Sequence, residues 1–487
     1  MEKKLQGNSI SGGFIWKFGE RLISQGVSFL VSLALARILS PDDYGIISLV
    51  LVFINLANVF ITSGFATALI QKKDADDTDF STMFYCSMVC SLVIYFIVFF
   101  SAPFVAKFYN NAILSAVLRV YALQVPLSVY NSIQTAFVSR NMLYQKSFLS
   151  SFISAVLSGA IGIGMAYANF GVWSLVAQSI SLTLFNTVVL CFILPWHPQL
   201  KFSLSAAKGM MKFGSRVLFA DLSGTFFNEI RSLIIGRVYK ESDLAFYTKG
   251  QQLPNLITGN LSTSVMAVLF PAMSNFSDSV EEVKKLARRS IKLLSYLMFP
   301  TLFGLIAVMK PLIIFLYTEK WSASIPYAQL LCFGMAFGVI GIVPLQTLKA
   351  IGRSDVVFGL EFLKKPVYVL LLIIGVKHSV FGIAVTMVIY ELYGLFVNML
   401  QMKKYINYNL AEQFKDLAPS ILLSALMLLI LNFIPAFDSV ILTLFIKVII
   451  GVLIYLCGSV LFKFEAFYYL KNKIGEIFLN IRRRIWG

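Results

Sequence analysis

Long apolar segments recur along the whole chain and are separated by short polar stretches. Each segment is about 20 residues long or more, which is the length that an α-helix needs to cross a hydrocarbon core of about 30 Å. The connections are too short to form a separate soluble domain. The pattern therefore predicts an all-α protein that crosses a membrane about fourteen times. The predicted spans are 14–37, 44–70, 83–106, 113–138, 148–168, 171–194, 211–236, 244–272, 291–317, 325–351, 356–376, 379–402, 418–435 and 439–462.

Composition supports a membrane protein, and the distribution of charge predicts how the chain is oriented in the membrane. The 487 residues are 58% hydrophobic and 13% charged, which is far from the composition of soluble domains. A formal net charge of +17 is typical of nucleic-acid-binding proteins, but here the cations lie mainly between the apolar segments. They are about four times more frequent on the side that holds both termini. Both termini are therefore expected to be cytoplasmic, and nucleic-acid binding is not expected.

A motif near the start of the chain returns about 200 residues later. KFGER at 17–21 and KFGSR at 212–216 each begin a predicted span, and SLALARILSPDDYG at 32–45 aligns with SLIIGRVYKESDLA at 232–245. Predicted spans 1 and 7 start on the same side of the membrane. The two copies therefore indicate a parallel repeat of two six-helix lobes, related by an axis along the membrane normal.

The repeat divides the chain into four predicted regions. The first lobe covers 1–200 and the second covers 201–402. Residues 403–463 add two helices outside the repeat. Residues 464–487 place isoleucines and a phenylalanine at helical spacing opposite lysines and arginines. This tail is expected to lie on the anionic lipids of the inner leaflet.

Charged side chains also occur within the apolar segments, where exposure to lipid would cost about 3 kcal/mol each near mid-bilayer. Polar residues in span 1, including Lys17 and Arg21, step by three or four and share one helix face. A similar stripe in span 7 includes Asp221 and Glu229. The stripes predict a water-filled cavity with a cation from each lobe at its cytoplasmic entrance. Lysines at the helix ends, such as Lys17, have the alternative role of anchoring the helix at the membrane surface.

A cavity richer in cations than in acids suits an anionic ligand, such as a diphosphate on a lipid carrier. Glu361 and Lys365 are an i,i+4 pair, and a salt bridge within the helix accounts for both charges. Lys364 has no such partner in this interpretation. The candidate substrate-binding residues are Lys17, Arg21, Arg216, Lys249, Gln252 and Lys364.

Three acids are candidates for coupling transport to a proton or sodium gradient: Asp221, Glu229 and Glu391. At a rise of 1.5 Å per residue, Asp221 and Glu391 lie about 15 to 18 Å into their helices, close to mid-bilayer. A carboxylate at that depth must be protonated, paired or bound to an ion. A static salt bridge to a cation such as Arg216 or Arg231 is the alternative.

Enzymatic and metal chemistry have no support in the sequence. The five cysteines lie in apolar stretches without a CxxC pair, and the two histidines lie in or beside predicted loops. No nucleophile, base and orienting group occur together. We expect no enzyme activity, no metal and no cofactor other than the proton or sodium gradient.

Seven segments, taken in order, resemble a known family. They are LARILSPDDYGIIS, FATALIQKKD, APFVAKFY, GVWSLVAQ, FYTKGQQLPNL, VLFPAMSNF and TEKWSASIPYAQLL. Their order and spacing resemble the polysaccharide-transporter branch of the multidrug/oligosaccharidyl-lipid/polysaccharide exporter superfamily, which contains repeat-unit flippases. The resemblance implies two six-helix lobes in a V and a central cavity bounded by helices 1, 2, 7 and 8.

The resemblance also implies a function in the bacterial inner membrane. By alternating access, the protein would move an undecaprenyl-diphosphate-linked glycan from the inner to the outer leaflet for O-antigen, capsule or exopolysaccharide synthesis. A polysaccharide polymerase complex is a further expected partner. The two helices after residue 402 would form an accessory pair with a groove for the lipid tail.

Three other functions compete with this interpretation. A drug or metabolite antiporter of the same superfamily would favour an acidic cavity for cationic substrates, whereas these spans are predominantly basic. A glycan polymerase or glycosyltransferase would need a large external loop or an acidic metal-binding motif, and no loop exceeds about 20 residues. A scaffold without transport activity would not need charges buried in its helices.

Overall fold

The computed structural model is built of helices, and no strand occurs in the residues it describes, which confirms the predicted all-α class. The backbone is described for residues 10–62, 69, 72, 75–435 and 437–486. Within these ranges, the side chains of 10–22, 212, 213, 216, 264–268, 474 and 477–486 lie outside the description.

Seventeen α-helices and one 3₁₀ helix follow one another in the described part of the chain. In chain order the α-helices are α1 (Ile10–Ile38), α2 (Pro41–Ile61), α3 (Asp77–Tyr109), α4 (Ile113–Tyr121), α5 (Gln124–Asn141), α6 (Tyr144–Tyr167), α7 (Val172–Ile193), α8 (Leu204–Val238), α9 (Glu241–Ser274), α10 (Val280–Tyr317), α11 (Ile325–Gly338), α12 (Ile342–Ala350), α13 (Ser354–Val376), α14 (Val380–Ile406), α15 (Leu410–Phe433), α16 (Val440–Leu461) and α17 (Glu465–Trp486). The 3₁₀ helix is Glu319–Ser324, between α10 and α11.

Ten helical segments among the described residues are long and apolar enough to cross a membrane. Two of them combine neighbouring helices, α4 with α5 and the 3₁₀ helix with α11 and α12. The described apolar part of α1, Ile23–Ile38, is shorter than a full span. Helix α13 carries Glu361, Lys364 and Lys365 within its apolar part. The protein is therefore a multi-pass membrane protein, while the total of fourteen spans and the parallel repeat stay predictions.

Two predicted spans are each divided into two helices, and proline explains both breaks. Pro126 has no N–H to donate to the carbonyl of Ala122, and the N–H of Val125 bonds that carbonyl at 3.0 Å instead. Likewise, Pro344 cannot donate to the carbonyl of Ile340, which accepts from the N–H of Val343 at 3.1 Å. The predicted spans 113–138 and 325–351 correspond to two of the segments that are long and apolar enough to cross a membrane, and each contains a short break that the sequence analysis did not predict. These are helices 4 and 10 of the predicted spans, which occupy the same place in the two predicted lobes.

The chain forms two compact units, residues 1–245 and 246–487. In the first unit, α6 lies between α1 and α7. Its contact face is made of small residues at four-residue spacing, since Ser150, Ser154 and Ser158 are fully buried and Gly162 follows them. Small side chains allow helix backbones to approach closely within a membrane.

Helices α2 and α8 also pack together in the first unit, and glycines allow α2 to approach α8 and the start of α9. A Cβ at residue 236 of α8 would collide with Leu49, and one at residue 45 of α2 would collide with the carbonyl group of Glu241, the first residue of α9. The turns before α2 and α9 are built alike. Asp43 accepts from the N–H of Ser40 at 3.1 Å, and Asp243 accepts from the N–H of Lys240 at 3.3 Å.

Helix α10 is central in the second unit, where α11, α15 and α16 pack against it. Aromatic contacts join α10 to α11, with ring centroids 5.1 Å apart for Phe299 and Phe337 and 5.9 Å apart for Phe303 and Phe333. Helix α14 packs against α11 and α13 on the other side of α11. These contacts position the charged residues of α13 and α14.

Candidate functional site

In the first unit, Glu229 of α8 contacts α2 through a polar bond. Its Oε1 accepts from Nδ2 of Asn55 at 2.9 Å, and the Glu229 side chain is half-buried. An amide donor stabilises a carboxylate within an apolar layer without neutralising its charge. Asp221, two turns earlier on α8, is exposed on the surface of this unit. Both acids of the predicted stripe are therefore accessible to water or a ligand to some degree.

Three predicted cations of the cytoplasmic entrance lie on helices of the first unit. Lys17 and Arg21 are in α1 and Arg216 is in α8, as the sequence pattern predicts. Their side chains lie outside the described residues. Their roles stay predictions.

In the second unit, Lys249 of α9 is held among aromatic rings. Its side chain is 6% exposed, and its Nζ lies 4.8 Å from the ring centroid of Tyr317 and 5.5 Å from that of Trp321. Aromatic faces attract a cation, and the attraction is strongest where water is excluded. Sequence reasoning placed Lys249 in the cavity but gave no sign of this aromatic surround, because the rings lie about 70 residues further along the chain.

A close approach of α9 to α11 fixes the position of Lys249. A Cβ on the next residue, Gly250, would lie 3.0 Å from the backbone N of Ala328 and 3.0 Å from the carbonyl O of Ser324. Only glycine allows this approach without displacing the neighbouring backbone. Gln252, which lies three residues after Lys249 on α9, is half-buried.

Lys364 of α13 has an acidic partner on its own helix, so the expectation that it lacks one was wrong. Its Nζ lies 2.7 Å from Oε1 of Glu361, and its side chain is 8% exposed compared with 42% for the acid. Residues three apart on a helix are neighbours just as residues four apart are. The side chain of Lys364 also packs beside Gly394 of α14. The buried cation is therefore partly compensated before any ligand binds.

Glu391 of α14 is half-buried against α11. A Cβ at residue 338 would collide with its carboxylate, so Gly338 makes the space that the carboxylate occupies. This gives a packing reason for a glycine at the end of α11. The sequence gave no indication of this neighbour, and the predicted depth of Glu391 in the membrane stays a prediction.

Sequence reasoning missed a polar cluster where α10 meets α15. The Asp416 side chain is 5% exposed and accepts from Nε and Nη2 of Arg288 at 2.8 and 3.0 Å and from the hydroxyl of Tyr408 at 2.7 Å. The run EEVKKLARRSIK at 281–292 is one of the cation-rich stretches between apolar segments, from which the sequence predicts only the orientation in the membrane. Only the register of Arg288 against Asp416 identifies the cluster.

The described helices therefore hold several buried or half-buried charged side chains: Glu229, Lys249, Lys364, Glu391 and Asp416. In the part of the chain that the structure describes, no three His, Cys, Asp or Glu side chains are grouped as metal ligands would be.

A family model described as polysaccharide biosynthesis protein matches residues 34–326. The chain belongs to this family. The match covers more than half of the chain and confirms the resemblance found in the seven sequence segments. It includes most of the first unit and the part of the second unit that holds Lys249.

Curated relatives of this family member have about the same length. The succinoglycan biosynthesis transport protein ExoT of Rhizobium meliloti strain 1021 is 22% identical over 347 residues, 70% of this chain and 69% of the relative. The lipopolysaccharide biosynthesis protein WzxC of Escherichia coli K12 is 22% identical and covers 76% of each chain. The teichuronic acid biosynthesis protein TuaB of Bacillus subtilis strain 168 is 24% identical over 76% of this chain and 77% of its own.

Solved structures show the same fold. The lipid II flippase MurJ, in an inward closed conformation, has a TM-score of 0.74 over 92% of this chain and 98% of its own, at 16% identity. An inward-facing MATE multidrug transporter of the MOP superfamily has a TM-score of 0.62 over 79% of this chain and 98% of its own, at 15% identity. The family member therefore has the exporter-superfamily fold that the resemblance implied.

Proposed function

We propose that this family member is a flippase that moves undecaprenyl-diphosphate-linked oligosaccharide repeat units from the inner to the outer leaflet of the bacterial inner membrane. The translocated glycans would supply O-antigen, capsule or exopolysaccharide synthesis. The observation that carries the proposal is membership of the polysaccharide biosynthesis family on a fold shared with a lipid flippase. Relatives named for succinoglycan and lipopolysaccharide biosynthesis support the glycan class.

A reconstituted system tests transport directly. The full chain is placed in sealed vesicles with an undecaprenyl-diphosphate-linked oligosaccharide in one leaflet, and a membrane-impermeant lectin measures the glycan that reaches the other leaflet. We expect transfer that depends on the protein and on the glycan-linked lipid. Transfer no faster than in protein-free vesicles would contradict the proposal.

The cations are proposed to bind the diphosphate, with Arg21, Arg216, Lys249 and Lys364 as the main contacts and Lys17 and Gln252 in support. Near-complete burial of Lys249 and Lys364 supports this role, because a desolvated cation gains most from an anionic ligand. For Lys364, the diphosphate would compete with Glu361. Each alanine substitution is expected to weaken substrate binding by about 1 to 3 kcal/mol. Binding unchanged in all four variants would reject the assignment.

Gradient coupling is proposed to act through Asp221, Glu229 or Glu391. A carboxylate that exchanges a proton or ion within the membrane can favour one conformation over the other. We expect Asp221→Asn or Glu391→Gln to keep expression and substrate binding but to lose the dependence of transport on a proton or sodium gradient. If the unmodified protein transports at the same rate with and without either gradient, coupling is absent and these acids are structural.

Both termini are proposed to lie in the cytoplasm, on the basis of the distribution of lysine and arginine. The basic α17 would then face anionic lipids of the inner leaflet. A polysaccharide polymerase complex is the proposed protein partner, because it would consume the transported repeat unit.

A further inference from the structure

An open groove of about 810 Å³ lies between the first turns of α10 and the first turns of α17. Its charged lining is strongly unbalanced, with five cations and one acid. These residues are Lys285, Arg288, Arg289, Lys292, Lys463 and Glu465. Lys285 pairs with Glu281 and Glu282, Arg288 with Asp416, and Lys292 with Glu465, so the excess positive charge of the groove lies on Arg289 and Lys463.

The cations are held in defined positions. Arg289 lies over the ring of Tyr469, with Cζ 3.6 Å from the centroid, and Lys292 pairs with Glu465 at 2.6 Å. Lys463 lies in the turn before α17 with a left-handed φ of 52°, which fixes its backbone at the mouth of the groove. Cations already ordered by packing lose little conformational freedom when an anion binds.

A second cavity of about 800 Å³ adjoins the first and shares Arg288, Lys292, Lys463 and Glu465 with it. Its further wall is apolar and is formed by Leu422, Leu423 and Leu426 of α15. Leu422 is 68% exposed and Leu426 is 47% exposed, so this wall is available to a hydrocarbon chain. The second cavity also holds Lys415 and two acids, Glu412 and Asp416, which pair with Lys284 and Arg288. The two cavities together place Arg289, Lys415 and Lys463 beside an apolar wall.

We infer that this two-part groove binds an anionic glycerophospholipid, with the headgroup phosphate on the cations of α10 and the α16–α17 turn and an acyl chain along α15. A free phosphate would use the cations and leave the apolar wall unused. An amphiphile with a negatively charged headgroup uses both. The inference extends the proposed contact of α17 with inner-leaflet lipids. Only the choice of leaflet that supplies the lipid rests on the proposed orientation, and the binding itself does not.

The test measures binding of dihexanoyl phosphatidylglycerol, below its micelle concentration, to the full chain in a neutral detergent by isothermal titration calorimetry. The test variant is Arg289→Gln/Lys463→Asn, because asparagine tolerates the left-handed backbone of residue 463. The matched control is Lys403→Gln/Lys404→Gln. It also removes two charges and one cation–π contact, that of Lys404 with Tyr405, but lies outside both cavities.

We expect saturable binding that is about tenfold weaker in the test variant and less than about twofold weaker in the control. Dihexanoyl phosphatidylcholine should bind about tenfold more weakly than the phosphatidylglycerol, because it has no net negative charge. If the test variant is not monodisperse, Lys463→Asn alone is compared with Lys463→Arg, and only the asparagine variant should lose affinity.

Other results would overturn the inference. Equal losses in the test and control variants would indicate general attraction to a basic surface. Displacement of the lipid by inorganic diphosphate at equal concentration would identify a site for free phosphate, and stronger binding of undecaprenyl diphosphate would identify a site for the carrier lipid. The proposed function is tested separately. If the unmodified protein binds phosphatidylglycerol as expected but transports no glycan-linked lipid, the proposed function is rejected and this inference is not.

Discussion

Lys364 and Glu361 form an ion pair whose two members differ in exposure, 8% for the lysine side chain and 42% for the glutamate side chain. The glutamate is partly solvated and can be lost at modest cost. The lysine is nearly buried, and its side chain packs beside Gly394 of α14. Most of the energetic consequence of breaking the pair therefore falls on the buried ammonium.

We predict that Glu361→Gln lowers the free energy of unfolding by about 1 to 3 kcal/mol, because it leaves that ammonium without its anion. The double variant Glu361→Gln/Lys364→Gln should lose less than the sum of the single losses, with a coupling of about 1 kcal/mol or more. Unfolding in sodium dodecyl sulfate measures each free energy. The exposed pair of Lys473 and Glu476, also three residues apart, is the control and should couple by about 0.5 kcal/mol or less.

Gly45 is a second residue at which a small change is expected to have a large effect, since its neighbour is the backbone of Glu241 and not a flexible side chain. We predict that Gly45→Ala destabilises the first unit by about 1 to 3 kcal/mol. Gly26→Ala in α1, where no atom lies within 4 Å of the added Cβ, should leave stability unchanged or raise it by up to about 1 kcal/mol. The melting temperatures of the two variants test this prediction. Equal melting temperatures would show that α2 accommodates the added methyl group without loss of stability.

At the scale of elements, α3 begins with a reciprocal cap. Asp76 accepts from the N–H of Asp79 at 2.8 Å, and Asp79 accepts from the N–H of Asp76 at 3.1 Å and pairs with Lys72 at 2.6 Å. The bond from the Asp79 backbone, followed by smaller charge effects, lowers the pKa of Asp76 below its usual 3.8. The ionised carboxylate is therefore the form that the folded state prefers.

We predict that Asp76→Ala lowers the free energy of unfolding at pH 7 by about 1 kcal/mol, as expected for loss of an N-cap, whereas Asp76→Asn changes it little. The pKa of Asp76 is lower in the folded state, so its stabilising effect is complete above pH of about 4 and is lost as the pH falls through the folded pKa. The stability difference between the native chain and Asp76→Asn should therefore shift in favour of asparagine below pH 4. A difference that does not vary between pH 3 and pH 7 would contradict the assignment.

The broken helices are a further feature of this scale. The helix breaks between α4 and α5 and again between α11 and α12. At each break a backbone carbonyl would need a hydrogen bond from a proline four residues later, and proline has no N–H to donate. The prolines are Pro126 in the first unit and Pro344 in the second. Proline is visible in the sequence, but a proline inside a helix need not break it, as Pro254 and Pro271 within the continuous α9 show. Packing around each proline decides between a break and a continuous helix.

At the scale of the whole molecule, the orientation in the membrane is the prediction with the widest consequences. In a background without the five native cysteines, we predict that a cysteine at Ala112 or Ser322 reacts with an impermeant maleimide from outside the cell and that one at Asp278 reacts only from the cytoplasm. All three positions are exposed on helix-connecting segments or helix starts. Labelling of Asp278→Cys from outside would show that the protein has the opposite orientation to the one predicted, and the proposed direction of transport would then be wrong.

The sequence by itself determined the properties that can be read along one dimension. The length of the apolar segments required helices across a membrane, and the spacing of short motifs identified the family. The distribution of cations gave a prediction of orientation, and the position of Glu391 within its segment gave a prediction of its depth. Each of these depends only on local composition and on order along the chain.

Tertiary structure decided which side chains meet. Glu229 bonds Asn55, which is 174 residues away, and Arg288 bonds Asp416, which is 128 residues away. Lys249 is surrounded by the rings of Tyr317 and Trp321. Periodicity shows which face of a helix is polar but not which helix lies opposite or at what register, because those depend on how glycines and small residues let distant helices approach. The energy of a buried charge depends on that neighbour, and so the surroundings of each charge could be seen only in the folded chain.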